Sequence, residues 1–228
     1  MTDRLPKDEA DRPGVSAVLF DFDGTLVDAS EAICRSFEAA LLRHGQPAAP
    51  DEQVRAMIGR PLREMFGVVD PGATAEGIEA YVDAYREAWT PLAVPLSKPL
   101  PGAPETVEAL ARLARLAVVT SRISSGAIHI LEAMGLGVHF ASIVGIERVE
   151  RPKPHPEAIH LALRELGAPP SEAVMVGDTP DDVHAGRAAG CRAVGVTTGV
   201  FDSAALHEAG ADRVIGSLSE LPDLLRRW

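Results

Sequence analysis

The chain has 228 residues, of which 46% are hydrophobic and 24% are charged, and its formal net charge is −11. This composition is typical of a soluble globular protein with one large domain, or with a domain and a smaller insert. Because an acidic surface repels nucleic-acid phosphates and anionic membranes, we expect neither as a general partner. No apolar run is long enough to cross a bilayer. Two cysteines without a Cys-x-x-Cys motif indicate reduced thiols in a cytoplasm.

The N-terminal segment is polar and lacks the apolar core of a signal peptide, so we expect residues 1–13 to be mobile. After it, short apolar segments rich in Val or Ile alternate with helical patterns. The predicted strands are Val15–Phe20, Ala117–Val119, Ala141–Val144, Ala173–Val176, Ala193–Val196 and Arg213–Ile215. The predicted helices are Pro104–Ala114, Ser125–Met134, Pro156–Leu166, Asp181–Ala189, Ser203–Ala209 and Ser217–Leu225. This alternation predicts an α/β fold of the Rossmann-like type, with a mainly parallel sheet and helices on both faces.

One region departs from this alternation. Glu31–His44 and Ala75–Trp89 have helical periodicity, and almost no strand pattern accompanies them. We therefore predict a small all-helical domain over 29–96, inserted into a sheet-containing domain that consists of 14–28 and 97–228.

The stretch VLFDFDGTLVD, which begins at Val18, places two aspartates at the end of the first predicted strand. Residues two apart in an extended chain point the same way, so Asp21 and Asp23 leave the strand on one side. Ligands of open parallel sheets bind at this end of the strands. Two neighbouring carboxylates repel each other unless a cation such as Mg²⁺ neutralises them. Gly24 allows a tight turn or a close backbone approach.

Two other structures share the Asp-x-Asp-Gly pattern. A calcium-binding EF-hand loop needs Gly at its sixth position and Glu at its twelfth, where this chain has Leu26 and Ala32. A solvated turn has the same composition and, on this motif alone, is an equal alternative. We expect Asp28 or Ser30 to cap the helix that follows, but a cap leaves the carboxylate pair unexplained.

Three further motifs lie near the ends of predicted strands. GDTPDD places Asp178 and Asp182 after one strand, and RPKPHPE holds Lys153 between two prolines. VVTSR puts the hydroxyl pair Thr120 and Ser121 directly after another strand. Alone, the lysine motif is more often a surface turn and the hydroxyl pair a helix cap.

Together, DFDGT, VVTSR, KPHPE and GDTPDD resemble, in this order, the four motifs of the haloacid dehalogenase superfamily. The helical segment after the first motif is similar to that family's mobile cap domain, and the resemblance extends over 15–216. DGTLVD, MIGRPLREMF and RPKPHPEAIHLAL are most similar to the phosphoglycolate phosphatase branch. The resemblance implies a cytoplasmic, Mg²⁺-dependent phosphomonoesterase, monomeric or homodimeric. Its substrate would be a small anionic phosphorylated metabolite, with phosphoglycolate favoured.

The resemblance also implies roles for single residues. The catalytic residues would be the nucleophile Asp21, the general acid and base Asp23, and two phosphoryl-binding residues, Thr120 and Lys153. The ligands of Mg²⁺ would be Asp21, Asp23 and Asp178, with Asp182 supporting the metal site.

Substrate contacts are assigned to three residues. Arg60, in a Gly-Arg-Pro loop of the cap, is expected to bind a carboxylate or a second phosphate, with a contact between the two domains as an equal alternative. Ser121 stands where the family often has Asn, and it would donate through its backbone N–H. Gly24 would let the backbone approach the substrate. For Arg122 we expect a position at the surface, ahead of a phosphate contact.

Other functions share these motifs. An inorganic pyrophosphatase or a sugar-phosphate phosphomutase of the same superfamily would keep every core motif. A non-enzymatic switch of the receiver-domain type would share the acidic Mg²⁺ site, but such domains are about half this length and have no helical insert after the first strand.

Overall fold

The computed structural model describes residues 14–228, so the expected mobility of 1–13 lies outside the described residues. The strands are β1 Ala17–Phe20, β2 Val27–Asp28, β3 Lys98–Pro99, β4 Arg115–Val119, β5 Phe140–Val144, β6 Ala173–Gly177, β7 Arg192–Val196 and β8 Arg213–Ile215. The helices are α1 Ser30–Arg43, α2 Asp51–Arg55, α3 Leu62–Val69, α4 Ala75–Leu92, α5 Ala103–Ala111, α6 Ser124–Ala133, α7 Glu157–Leu166, α8 Pro180–Ala188, α9 Ser203–Glu208 and α10 Leu221–Leu225.

Six strands form one parallel sheet in the order β5-β4-β1-β6-β7-β8. Strand β1 is central and fully buried on both faces. Because neighbouring residues of a strand point to opposite faces, Val18 and Phe20 pack into one hydrophobic core while Ala17 and Leu19 pack into the other. The α/β, Rossmann-like prediction is confirmed, and each of the six strands lies where the sequence pattern predicts it.

The C-terminal helix differs from its prediction. Ser217–Leu225 is not one helix but a 3-10 turn over Leu218–Glu220, followed by α10. Pro222 lies in the first turn of α10. The N–H groups of a first turn have no acceptor within the helix, so the N–H that proline lacks costs no hydrogen bond. A proline at this position begins a new helix.

Helices α1 to α4 all lie between β2 and β3, in the segment where helices are predicted. Their shared core is aromatic: the rings of Phe37 and Phe66 stack with centroids 4.0 Å apart, and Tyr85 meets both edge-on. Strands β2 and β3 pair antiparallel and so join the two chain connections to this segment. The division into two domains at the predicted boundaries stays a prediction.

The expected cap of α1 is realised in part. Asp28 accepts hydrogen bonds from the backbone N–H and the hydroxyl of Ser30, at 3.0 and 2.6 Å. The N-cap position itself belongs to Ala29, whose side chain makes no cap. Over 14–228 we find no helix of the length and apolarity that a membrane span needs.

Candidate active site

The predicted motif residues meet at the carboxyl ends of three adjacent strands. Asp21 follows β1, Thr120 follows β4, and Asp178 follows β6. Strand β1 lies between the other two, so these residues converge at one edge of the sheet. All three are buried, with at most 5% of their surface exposed. A solvated turn is therefore wrong for the first motif.

Gly24 forms the turn that follows β1. Its φ is +86°, a left-handed value that favours glycine, and its N–H donates to the carbonyl of Val27 at 2.9 Å. A Cβ at this position would lie 2.5 Å from Oδ2 of Asp178. The tight turn and the close approach expected from the sequence are therefore both present, although the neighbour is a carboxylate of the protein.

Lys153 occupies the centre of a buried charge cluster. Its ammonium donates to Oδ1 of Asp21, to Oδ1 of Asp182 at 2.6 Å and to the carbonyl of Val119 at 3.2 Å. Only 4% of its side chain is exposed, so a surface turn is wrong for this motif. Burial by itself lowers the pKa of Lys153, but the charges of Asp182 and Asp21 raise it above its usual value. The lysine stays a cation between two carboxylates.

Asp182 has two structural tasks. Its Oδ2 accepts from the backbone N–H and the hydroxyl of Thr179, at 3.1 and 2.7 Å, and Thr179 accepts from the N–H of Asp182. This reciprocal capping box begins α8. Because its other oxygen accepts from Lys153, both carboxylate oxygens are engaged. Asp182 thus lies behind the lysine, in a place suited to supporting the site.

Three carboxylates could hold a divalent cation. Asp21, Asp178 and Asp182 each offer an oxygen, and these atoms lie within 4.8 Å of one another. Oδ2 of Asp21 is buried and finds no hydrogen-bond partner among the described residues. Carboxylate oxygens are the ligands that Mg²⁺ prefers. The residues present therefore fit a hard divalent cation, with Asp21 and Asp178 better placed to ligate it than the fully engaged Asp182.

Burial makes the charged form of these carboxylates unfavourable. It raises the pKa of Asp21 to about 7, even though Lys153 opposes the shift, and the charge of Asp182 adds to it. Burial, followed by the charge of Asp21, raises the pKa of Asp178 well above its usual value. Thr25 opposes this second shift by donating to Oδ1 of Asp178 at 2.8 Å. A bound cation would relieve the remaining repulsion.

The hydroxyl pair is not a helix cap, contrary to one alternative from the sequence. The N-cap of α6 is Ile123, and the N–H of Ser124 donates to the carboxylate of Glu147 instead. Thr120 and Ser121 line the same cavity as Asp21. Their role toward a phosphoryl group stays a prediction.

Arg122 is not at the surface, so that expectation is wrong. Its side chain is 9% exposed and forms a two-point ion pair with Asp23: Nε donates to Oδ2 at 3.1 Å and Nη2 to Oδ1 at 2.7 Å. The guanidinium lies 4.0 Å from the centroid of the Trp89 ring. A matching carboxylate and an aromatic face compensate for its burial.

The helices between β2 and β3 form the opposite wall of the cavity. Exposed Arg60 contributes to this wall, which is otherwise mainly apolar, with Ile58, Met65 and Val82 among its residues. The loop before Arg60 lies close to the N-cap residue of α8: a Cβ at Gly59 would lie 3.0 Å from Cγ2 of Thr179. Arg60 thus lies beside the cavity, and its contact with a substrate stays a prediction.

Some residues of the site had no role assigned from the sequence. Thr25 is part of the DFDGT motif, so its position was a usable signal. Thr198 and Gly199 follow β7, another carboxyl strand end: Thr198 donates to the carbonyl of Gly24 at 2.6 Å, and a Cβ at Gly199 would lie 1.8 Å from Asp178. Trp89 appears in the sequence only as part of an amphipathic helix, with nothing to indicate its contact with Arg122.

Comparison with known proteins agrees with this geometry. The model of the family described as haloacid dehalogenase-like hydrolase matches residues 18–196. A protein of Dickeya dadantii named "Probable phosphatase IndB" is 38% identical over 90% of this chain and 90% of its own length. Pyrophosphatase PpaX of Bacillus pumilus is 34% identical over 91% of this chain and 94% of its own. A phosphoglycolate phosphatase of Neisseria meningitidis is 33% identical over 93% and 94%.

Solved structures share the fold. A haloacid dehalogenase-like hydrolase of Streptococcus pneumoniae superposes with a TM-score of 0.82 at 25% identity, covering 92% of this chain and 98% of that one. The family match, the relatives and the convergence of all four motifs lead to one conclusion. The chain is a hydrolase of the haloacid dehalogenase superfamily, of the phosphatase class.

Proposed function

We propose that the protein is a Mg²⁺-dependent phosphomonoesterase that hydrolyses a small anionic phosphorylated metabolite through an aspartyl-phosphate on Asp21. One observation carries this proposal above the others. Asp21 is buried beneath the cavity, its Oδ1 is held by Lys153, and its Oδ2 is free of hydrogen bonds among the described residues. A carboxylate that a buried lysine holds beside the cavity is suited to nucleophilic attack through one oxygen, while its other oxygen can ligate the cation.

In the first step, a carboxylate oxygen of Asp21 forms a bond to phosphorus, and the bond from phosphorus to the leaving oxygen breaks. The leaving alkoxide takes a proton from Asp23, which acts as general acid. The cation Lys153 and the hydroxyl of Thr120 stabilise the negative charge of the phosphoryl oxygens. Inorganic phosphate has not yet formed, because the phosphoryl group is bound to Asp21.

In the second step, a water molecule attacks the phosphorus of the aspartyl-phosphate and transfers a proton to Asp23, now the general base. The bond to Asp21 breaks, which releases phosphate and restores the free carboxylate. When bound, Mg²⁺ supplies positive charge that offsets the repulsion between the carboxylates and the phosphate anion. Asp21 and Asp178 would hold it, together with the backbone carbonyl of Asp23.

Two observations support 2-phosphoglycolate as the favoured substrate, and a third concerns any anionic substrate. Arg60 lies at the cavity wall and can bind the carboxylate of a small leaving group. The net charge of −11 makes local cations in the site necessary for any anionic substrate. A phosphoglycolate phosphatase is also among the relatives. Because a pyrophosphatase is equally similar, pyrophosphate is the next candidate.

The test is phosphate release, with and without Mg²⁺, from 2-phosphoglycolate, pyrophosphate, several sugar phosphates and amino-sugar acid phosphates. The variant Asp21→Asn is assayed beside the wild type. We expect Mg²⁺-dependent release from one compound and none in the variant. Interconversion of sugar-phosphate isomers without release of phosphate would favour a mutase and contradict the proposal.

A further inference from the structure

The loop that follows β7, residues 197–200, is held on two sides. The backbone N–H of Thr197 donates to the carbonyl of Ile215 in β8 at 3.0 Å. The hydroxyl of Thr198 donates to the carbonyl of Gly24, in the turn after β1, at 2.6 Å. Strands β7 and β1 are not neighbours, because β6 lies between them in the sheet. The loop therefore reaches across the end of β6 to the first motif.

Asp178, which follows β6, lies between this loop and the turn after β1. A Cβ at Gly199 would lie 1.8 Å from Oδ2 of Asp178, and a Cβ at Gly24 would lie 2.5 Å from the same oxygen. Both distances are far shorter than van der Waals contact. The hydroxyl of Thr25 donates to the other oxygen, Oδ1, at 2.8 Å. Neither glycine can therefore gain a side chain without displacing the carboxylate.

The hydrogen bond from Thr198 restrains a turn that carries two groups of the proposed cation site. The peptide unit whose carbonyl accepts this bond also contains the N–H of Thr25, the residue whose hydroxyl binds Asp178. Because a peptide unit is planar, a restraint on its carbonyl also restrains the residue that follows. The preceding peptide unit contains the carbonyl of Asp23, which would be a ligand of Mg²⁺. One hydroxyl thus acts on both groups.

A second cavity lies beside these groups. Thr198 and Gly199 line it together with Asp23 and Asp178. Among the described residues, neither Thr198 nor Gly199 lines the cavity that contains Thr120. Mg²⁺ in proteins keeps several water molecules as ligands, and the second cavity offers room for them. The loop is therefore placed to act on the metal ligands rather than on a substrate.

We infer that Thr198 is a positioning residue of the Mg²⁺ site, and that Gly199 is required for Asp178 to lie against the loop. The inference rests on the proposed function, which places Mg²⁺ at Asp21 and Asp178. Thr198 acts through other residues rather than as a ligand. By joining the loop after β7 to the turn after β1, it keeps the carbonyl of Asp23 and the carboxylate of Asp178 in a fixed arrangement. Partners that orient metal ligands strengthen metal binding.

The test measures Mg²⁺ affinity without using turnover. The rise of the melting temperature with Mg²⁺ concentration gives an apparent Kd, because a ligand of the folded state stabilises that state. Thr198→Val has nearly the same shape but no hydroxyl, and we expect its Kd to be roughly 10-fold higher. Thr198→Ser keeps the hydroxyl and should restore most of the affinity. At saturating Mg²⁺, kcat should change little in both variants, since every catalytic residue is present.

The matched control is Thr197→Val, which removes the neighbouring hydroxyl of the same loop. That hydroxyl donates to the carbonyl of Ile215 at 3.5 Å, so the control should bind Mg²⁺ as the wild type does. Gly199→Ala should bind Mg²⁺ most weakly, roughly 100-fold below the wild type, because its Cβ displaces Asp178. If Gly199→Ala does not fold, as judged by circular dichroism, the two substitutions of Thr198 still decide the question.

An unchanged Kd in Thr198→Val would overturn the inference, even if the melting temperature without Mg²⁺ fell, since Thr198 would then serve stability alone. An equal loss of affinity in Thr197→Val would show a general effect of the loop and also overturn it. Equal losses in Thr198→Val and Thr198→Ser would show that the hydroxyl is not the group that acts. If the wild type bound Mg²⁺ but released no phosphate from any ester, only the proposed function would fail. If the wild type bound no Mg²⁺, both would fail.

Discussion

Ion pairs at the carboxyl end of the sheet differ from those on the helical segment in one respect, their burial. The side chains of Lys153 and Asp21 are each 4% exposed, whereas those of Arg43 and Glu87 are 57% and 66% exposed. An exposed pair contributes about 0–1 kcal/mol to the free energy of unfolding, because water solvates both partners almost as well apart. Removing one partner of a buried pair leaves a charge without water or a counterion. An ion pair of the same type therefore contributes little to stability on the helical segment, whereas at the end of the sheet both stability and the active site depend on it.

The largest effect is expected for Lys153→Ala, which leaves Asp21 and Asp182 without their shared cation. We expect the free energy of unfolding to fall by about 3 kcal/mol or more and turnover to fall at least ~100-fold. Denaturant unfolding and phosphate release measure the two losses. The matched control is Arg43→Ala, which should cost less than about 1 kcal/mol. Near-normal turnover in Lys153→Ala would remove this residue from the active site.

Asp178→Asn tests whether a buried charge at the end of the sheet serves activity rather than stability. In this variant, stability and activity should move in opposite directions. Burial and the charge of Asp21 raise the pKa of Asp178, so the folded state disfavours its charged form. Without metal, the neutral amide should raise the free energy of unfolding, because the folded state no longer holds a charged group at this buried position. Turnover should be lost, and Mg²⁺ should no longer raise the melting temperature. A variant that Mg²⁺ still stabilises as it does the wild type would contradict this role.

Comparing Gly24→Ala with Gly45→Ala distinguishes the effect of a strained backbone on stability from an effect of the new Cβ on the carboxylate site. Gly24 and Gly45 both have positive φ, +86° and +74°, but a Cβ at Gly45 would meet nothing within 4 Å. We expect the left-handed backbone to cost each variant about 1 kcal/mol of stability, and the clash with Asp178 to add to the cost of Gly24→Ala alone. Only Gly24→Ala should also weaken activation by Mg²⁺, by about 10-fold or more, because its Cβ displaces Asp178. Equal Mg²⁺ titrations of the two variants would refute the distinction.

The smallest effect is expected for Arg60→Ala, since this side chain is exposed at the cavity wall. Loss of one charge-assisted hydrogen bond should raise the KM for 2-phosphoglycolate about 10-fold while kcat changes little. Arg43→Ala again serves as the control. If the KM of every active substrate stayed unchanged, Arg60 would have no substrate contact.

Much of this site followed from the sequence, because its residues lie directly after strands. The period of an apolar strand and its first polar residues are local features, and parallel strands bring such residues to one edge wherever they occur in the chain. Asp21, Thr120 and Asp178 were placed in this way. The motifs also identified Lys153, although nothing local showed that its ammonium reaches Asp182.

The contacts of Arg122 and Trp89 show what a local pattern leaves out. An arginine after a Thr-Ser pair has the same local sequence whether it points to solvent or into the protein. Its burial depends on Asp23, 99 residues away in the sequence, and on a ring from another segment. Only the tertiary structure brings these partners together. The start of α10 likewise depends on where Pro222 falls within a helical turn.

The central claim is that Asp21 receives the phosphoryl group, and rapid-quench mass spectrometry of the peptide that contains it tests this most directly. Mixing Asp23→Asn with Mg²⁺ and p-nitrophenyl phosphate should accumulate one phosphoryl group on Asp21, because the base for water attack is missing. The phosphoryl group should be absent in Asp21→Asn. The account would be contradicted by three results together. The wild type would release phosphate, Asp23→Asn would carry no phosphoryl group on Asp21, and Asp21→Asn would keep its turnover.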